Sequence, residues 1–171
     1  MPDILKIVLC LILGYLFGSL NFAIIYSKLR GDDIRNHGSG NAGATNVLRT
    51  YGKGPAAIVF LLDILKGVIA VIIARLILNG DIFECSAALG AVLGHNFPVY
   101  YNFKGGKGVA TSFAVLIALH PATALVALVI FLIVVFISKY VSLSSISASV
   151  GAIISSFVFF RIDAFSIFCT I

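Results

Sequence analysis

Ile4-Leu-Lys-Ile-Val-Leu-Cys-Leu-Ile-Leu-Gly-Tyr-Leu-Phe-Gly-Ser-Leu-Asn-Phe-Ala-Ile-Ile-Tyr26 carries one charge along its whole length. A run this long and this apolar is a membrane span, too long for a signal-peptide core. It ends in Tyr26-Ser27-Lys28 instead of a small-residue cleavage site, so the sequence predicts a retained helix. The rest of the chain agrees. Of its 171 residues 60% are hydrophobic and 11% charged, and the mean hydropathy is +1.11, which excludes a soluble domain. Further apolar runs cover Pro55–Leu78, Phe83–Tyr101, Val109–Leu119, Pro121–Ser138 and Ser142–Phe160, with a last run at Ile162–Ile171. The expected fold is an all-α polytopic bundle of about seven helices forming one domain over 1–171. The Val109–Leu119 run is about 16 Å as a helix and cannot cross alone; His120-Pro121 follows it, and a half-length helix packed inside the bundle is expected. The last run is half a span, so the seventh helix reads as truncated and the C-terminus as incomplete.

If each segment reverses direction, Lys28, Arg30, Arg35, Arg49, Lys53, Lys104, Lys107 and Lys139 share one side, against Lys6, Arg75 and Arg161 on the other. Positive residues stay inside, which places the first group in the cytoplasm and the N-terminus outside. The net charge of +5 is thereby explained by loops at a membrane surface and not by nucleic acid. Cys10, Cys85 and Cys169 lie in or beside apolar runs, without metal-ligand spacing, and read as small buried hydrophobes.

Two loops on the basic side carry the chemistry. The first is Gly38-Ser39-Gly40-Asn41-Ala42-Gly43-Ala44-Thr45-Asn46, closed by Arg49. Glycines let the backbone approach a ligand, Ser39, Asn41, Thr45 and Asn46 offer neutral hydrogen-bonding groups, and Arg49 adds a fixed fork of donors. The second is Lys104-Gly105-Gly106-Lys107-Gly108, opening the short fourth run, where free N–H groups meet two ammoniums. Each is a kit for holding an oxyanion, most simply phosphate. An ordinary turn and ordinary loop charge are the plain alternatives. The second loop is not a Walker loop, since no Gly-x-x-x-x-Gly-Lys-Ser/Thr occurs.

Asp63 and Lys66 interrupt the second span at i, i+3 spacing and can neutralise one another, either as a functional pair or as a structural one. His95 is either a general base or a hydrogen-bonding histidine near the interface. His37 is a weaker candidate, His120 sits on the opposite side, and Ser142 opens the sixth run as an N-cap or a site residue. No Gly-x-Ser-x-Gly elbow, His-x4-Asp motif or CDP-lipid transferase signature is present. Asp32-Asp33 is a lone acidic pair, and nothing calls for a metal or cofactor.

Gly18-Ser19, the Gly38–Asn46 loop with Arg49 and Gly52, Asp63-x2-Lys66-Gly67, and Gly94-His95-x2-Pro98 through Phe103-Lys-Gly-Gly-Lys-Gly-Val-Ala-Thr111 closely resemble the bacterial acyl-phosphate:glycerol-3-phosphate acyltransferase family, PlsY. The similarity runs in order along nearly the whole chain. It implies a seven-helix enzyme of the bacterial inner membrane with a cytoplasmic active site. That enzyme moves a fatty acyl group from acyl phosphate to the 1-hydroxyl of glycerol 3-phosphate, giving lysophosphatidate and phosphate in phospholipid synthesis, without a protein nucleophile. Both substrates, and membrane lipid, are the partners implied.

On this resemblance Ser39, Asn41, Gly43, Thr45 and Arg49 line the phosphate site, with Lys104 a central cation, and Lys66, His95, Lys107 and Ser142 match family positions at or near it. With the loop residues Gly40, Asn46, Gly105 and Gly106, and His95 apart, these form the expected phosphate-binding set; His95, Lys104 and Arg49 are the expected catalytic residues. Asn21 stands where the family often has proline, and the family continues past Ile171 through a full seventh helix. The competing classes are a carrier or channel for phosphorylated solutes, built on broken helices and the Asp63–Lys66 pair, and a non-catalytic subunit of a lipid-synthesis assembly.

Overall fold

The computed structural model describes residues 2–160. Those residues contain no strand and form α1 (Asp3–Gly18), α2 (Phe22–Leu29), α3 (Ala44–Tyr51), α4 (Lys53–Leu78), α5 (Asp81–Asn96), α6 (Val109–Leu119), α7 (Pro121–Ser138) and α8 (Val141–Phe160). Single 3₁₀ turns lie at Ile34–Asn36 and Val99–Tyr101. The expected run at Ile162–Ile171 lies outside the described residues. Among the described residues, four stretches are long and apolar enough to cross a membrane: Asp3–Leu29, Lys53–Leu78, Pro121–Ser138 and Val141–Phe159. The chain divides into two compact units, Met1–Val115 and Leu116–Ile171.

In the first unit, α1 packs on α5 through small residues. Cys10, Gly14 and Gly18 are buried at spacings of four on α1, facing Ala87 and Ala91 on α5. A Cβ at Gly14 would fall on the Ala87 carbonyl and one at Gly18 on that of Ala91. The contact is reciprocal, because a Cβ at Gly90 or Gly94 would strike the carbonyl of Leu11 or Tyr15. Close backbone contact of this kind replaces the missing hydrophobic drive between helices in lipid.

The first apolar run is not one helix. It breaks at Ser19–Asn21, where Ser19 donates to the Tyr15 carbonyl at 2.7 Å and Asn21 caps α2 by accepting from the Ile24 N–H at 3.1 Å. The expected third span also stops early, at Asn96 instead of Tyr101. The reason lies in the second glycine-rich loop, which folds back so that the Gly105 and Gly106 N–H groups bond the Asn96 and His95 carbonyls at 3.2 and 3.1 Å. Both glycine-rich loops lie at one end of this unit. At the other end Ile7, Cys10, Ala74, Leu78, Phe83 and Ala87 pack together, and Arg75 pairs with Glu84 at 2.7 Å. Cys10 is a buried free thiol.

The second unit is built on α7 and α8. Lys139, in the left-handed region at φ 62°, closes α7 with its N–H on the Val135 carbonyl at 3.0 Å. Ala124, Ala127, Ala148 and Ala152 are buried. Ser144, Ser145, Ser149, Ser155 and Ser156 of α8 return their hydroxyls to carbonyls of the preceding turn, as Ser144 does to the Tyr140 carbonyl at 2.8 Å, which satisfies them in an apolar setting. Ser142 lies in the first turn of α8, inside the helix and not at its N-cap.

Replacing Gly90 by valine places branched carbons where the Leu11 backbone lies. The expected cost is about 1–3 kcal/mol or more, as for overpacked cores, read as a lower midpoint of thermal unfolding in detergent. The same substitution at Gly54, where a Cβ meets nothing, is expected to leave that midpoint close to the parent value.

Candidate active site

Three charged or polar side chains meet inside the first unit. Lys66 on α4 is 3% exposed, Asp63 one turn earlier 1%, and His95 near the end of α5 3%. The Lys66 ammonium donates to the Leu20 carbonyl at 2.8 Å and to His95 Nδ1 at 2.9 Å. It also lies 2.8 Å from Asp63 Oδ1, as an ion pair and not a directed hydrogen bond, since that oxygen has no hydrogen-bond partner. The carbonyl it satisfies is one the break after α1 sets free. His95 Nδ1 also lies 3.6 Å from Asp63 Oδ1, and Nε2 lies against Gly106, where a Cβ would strike it. Lys66 is therefore enclosed, with its donors engaged inside the protein, and is not on the surface expected to bind phosphate.

The Gly38–Asn46 loop is held from within. Asn46 is buried, accepts from the Ser39 N–H at 3.0 Å and donates to the Ile34 and His37 carbonyls at 3.1 and 2.9 Å. Its amide thus shapes the loop and has no donor left for a ligand. Gly38 and Gly40 take φ of 54° and 71°, left-handed values that glycine adopts freely. Asn21, besides capping α2, donates to the Ala42 carbonyl at 3.1 Å.

The acidic pair anchors the same loop. Asp32 accepts from the Tyr51 hydroxyl at 2.6 Å and from His37 Nε2 at 2.8 Å. Those bonds, Tyr51 foremost, hold its carboxyl down at about 2, while burial and the Asp32 contact push Tyr51 up to about 12. Asp33 grips Arg35, Nε to Oδ1 at 2.9 Å and Nη2 to Oδ2 at 2.6 Å, which lowers the carboxyl and raises the guanidinium.

The second loop meets the first. Arg35 Nη1 donates to the Tyr101 and Lys104 carbonyls at 3.1 and 3.3 Å. Gly106 lies against the Ala42 carbonyl, which a Cβ would approach to 2.6 Å. Glycine is required at Gly105 and Gly106 because side chains there would strike His95, but their N–H groups close α5 and are not aimed at a ligand. Among the described residues, the N–H groups that start α6, those of Val109, Ala110 and Thr111, have no backbone partner.

The structure therefore brings the two kits together at one end of the first unit. Ser39, Gly40, Arg49, Lys104 and Lys107 are exposed, and Asn41, Gly43 and Thr45 are half-buried. Among the described residues, no hydrogen bond or ion pair engages the side chains of Ser39, Asn41, Thr45, Arg49, Lys104 or Lys107. Thr45 and Arg49 share one face of α3, a turn apart. A surface with three unpaired cations beside neutral donors can take two anions that would otherwise repel. Ser142 belongs to the second unit. No group of three His, Cys, Asp or Glu side chains able to hold a metal ion occurs among the described residues.

A family model described as glycerol-3-phosphate acyltransferase matches residues 8–171. The chain belongs to the PlsY family of glycerol-3-phosphate acyltransferases. It is 47% identical to a glycerol-3-phosphate acyltransferase of Thermoanaerobacter sp. (strain X514), over 96% of this chain and 83% of that one. Its counterpart in Thermus thermophilus is 49% identical, over 85% and 73%. The crystal structure of PlsY (YgiH), an integral membrane glycerol 3-phosphate acyltransferase in its glycerol 3-phosphate form, matches with TM-score 0.88 at 40% identity, over 96% of this chain and 82% of that one. Its lysophosphatidic acid form matches with TM-score 0.85 at 39% identity, over the same shares of the two chains. The chain is accordingly an all-helical integral membrane protein.

Arg35, Asp32, Asp33, Tyr51 and Asn21 complete the site without appearing among the expected residues. In the sequence Arg35 counts only as loop charge. Its signal was Asp33 two residues before it, a spacing that lets an aspartate hold a following residue's N–H and side chain together.

Two measurements check this geometry. Lys66→Met leaves Asp63 buried without its cation and is expected to cost about 3–5 kcal/mol, whereas Asp63→Leu with Lys66→Met removes both charges and recovers most of the loss; unfolding midpoints of the two variants compare them. For the loop, Asp32 is lowered and adds stability that is complete above about pH 4 and lost as pH falls towards 2. Tyr51 is raised and adds stability complete below about pH 10 and lost as pH rises towards 12. The protection factors for amide exchange across residues 31–46, measured against the intrinsic rate at each pH, are expected to stay high between those limits, and Tyr51→Phe to lower them within those limits.

Proposed function

We propose that this protein transfers a fatty acyl group from acyl phosphate to the 1-hydroxyl of glycerol 3-phosphate, releasing 1-acylglycerol 3-phosphate and phosphate for phospholipid synthesis. The observation that carries the reading is the meeting of two glycine-rich loops that leave Arg49, Lys104 and Lys107 unpaired beside Ser39, Asn41 and Thr45. Both substrates are phosphates, and two anions must be dehydrated and aligned before they react. The family's named activity and the glycerol 3-phosphate and lysophosphatidic acid forms of the PlsY structure support the acceptor and the product.

In this mechanism the glycerol oxygen attacks the acyl carbonyl carbon, the bond from that carbon to the phosphate oxygen breaks, and phosphate leaves. An acyl phosphate is already a mixed anhydride, so no protein nucleophile is needed. Lys104 and Arg49 stabilise the charge developing on the carbonyl and leaving phosphate. His95 is enclosed, with Nδ1 2.9 Å from the Lys66 ammonium and Nε2 against Gly106, so the hydroxyl proton passes to a phosphate oxygen of the substrate while His95 supports the loop at Gly106. Apolar grooves beside the helices take the acyl tail. The whole chain acts as one acyltransferase domain in the bacterial inner membrane, N-terminus outside, both loops in the cytoplasm. Basic residues concentrated at the loop end support that orientation.

The enzyme in lipid, offered glycerol 3-phosphate with palmitoyl phosphate, palmitoyl-CoA or palmitoyl carrier protein separately, is expected to form lysophosphatidate from palmitoyl phosphate alone. Arg49→Ala and Lys104→Ala are each expected to lower kcat/KM by about 10²–10³-fold. Equal use of palmitoyl-CoA would remove the donor assignment, and a trapped acyl-enzyme would remove direct attack. Ser39→Cys, in a chain otherwise without cysteine, is expected to react with an impermeant maleimide only after spheroplasts are opened. Labelling of intact spheroplasts would reverse the orientation.

A further inference from the structure

We propose that Arg35 is a positioning residue that holds the Lys104 loop in register with the Gly38–Asn46 loop; the inference rests on the reading of those loops as one anion site. Arg35 lies among the basic residues of that surface, yet its guanidinium is arranged differently from theirs. Nε and Nη2 form a two-pronged contact with the Asp33 carboxylate, and Nη1 points to the Tyr101 and Lys104 carbonyls. The Nε–Nη2 edge is taken by the carboxylate, both Nη1 N–H groups are directed at carbonyls and the charge is paired, so Arg35 offers a substrate phosphate neither a free pair of donors nor a net charge. Arg49, Lys104 and Lys107 offer both.

What Arg35 does offer is direction. The carbonyl it holds is that of Lys104, immediately before Gly105 and Gly106. Glycines lose more freedom on ordering than other residues, so a loop of this composition sets a lysine only if something fixes its backbone. Beyond Lys104, Gly105 and Gly106 are tied to α5. Before it, Tyr101 and Lys104 are tied to Arg35, and Arg35 through Asp33 to the first loop. Asp33 also accepts from the Arg35 N–H at 3.0 Å, so side chain and backbone of Arg35 are set by one carboxylate. Lysine cannot replace this arrangement, because a single ammonium lacks the planar fork that meets a carboxylate and two carbonyls at once.

The test is a cycle of variants assayed for lysophosphatidate formation, with unfolding midpoints as the folding control. Arg35→Lys is expected to lower kcat/KM about tenfold, the worth of one well-placed hydrogen bond, with the midpoint little changed. In a Lys104→Gln background the same change is expected to have almost no further effect, because there is no longer an ammonium to aim. A purely structural role, or direct contact of Arg35 with substrate, would multiply the two losses and overturn the proposal, as would full activity of Arg35→Lys. If Arg35→Lys does not fold, Asp33→Asn loosens the fork from the other side and must show the same dependence on Lys104. Full activity of Lys104→Gln would instead refute the anion site itself. Loss at Lys104 with multiplicative behaviour at Arg35 refutes only the positioning role.

Discussion

The ammonium of Lys66 is the constraint on which the first unit depends. A charge at this depth has no water to solvate it, so every neighbour must be a partner. It finds a carbonyl released by the broken first helix, the imidazole of α5 and the carboxylate one turn back on its own helix. One side chain thereby fixes three helices at the level where the loops begin. The break at Ser19–Asn21 is no defect in this arrangement: an intact helix would keep the Leu20 carbonyl for itself. The glycines of α1 and α5 allow the approach that puts break and imidazole within reach of the same atom.

Above that level the cations divide into two kinds. Lys66 and Arg35 are paired with carboxylates and act on peptide carbonyls and imidazole; Arg49, Lys104 and Lys107 carry no partner among the described residues. The division gives the surface a positive potential while the frame beneath stays neutral, so the field is directed outward at incoming anions. Paired cations add rigidity without competing for substrate. Asp32 and Asp33, a lone acidic pair in the sequence, belong to this frame through Tyr51, His37 and Arg35.

Much of this was legible in the sequence. The bounds of α4, α6, α7 and α8 follow apolar runs closed by proline, glycine and charged residues, and the half-length α6 was expected at the residues it occupies. The two loops were legible as one chemistry because glycines, amides and cations lie close in sequence. What was not legible depends on distant partners. The spacing of Asp63 and Lys66 shows that they can pair, but not that His95 and the Leu20 carbonyl enclose them. Asn46 looks like any loop amide until the carbonyls of Ile34 and His37 take its donors. Gly105 and Gly106 look like ligand-facing donors until α5 is found to end beneath them. Arg35 differs from Arg49 in the sequence only by the aspartate two residues before it, and in the structure by what its guanidinium touches.

The pairing of Asp63 with Lys66 inside a single turn also bears on how such a protein is made. Helices emerge from synthesis in chain order, so α4 enters the bilayer before the residue that becomes His95 exists. A lysine whose only counter-charge lay on α5 would have to wait, unpaired, in hydrocarbon. Because the aspartate is three residues away on the same helix, α4 carries its own neutralisation across. The contacts to α5 are then added to a charge already accommodated, and the glycine face of α1, complete long before α5 arrives, needs no polar partner while it waits.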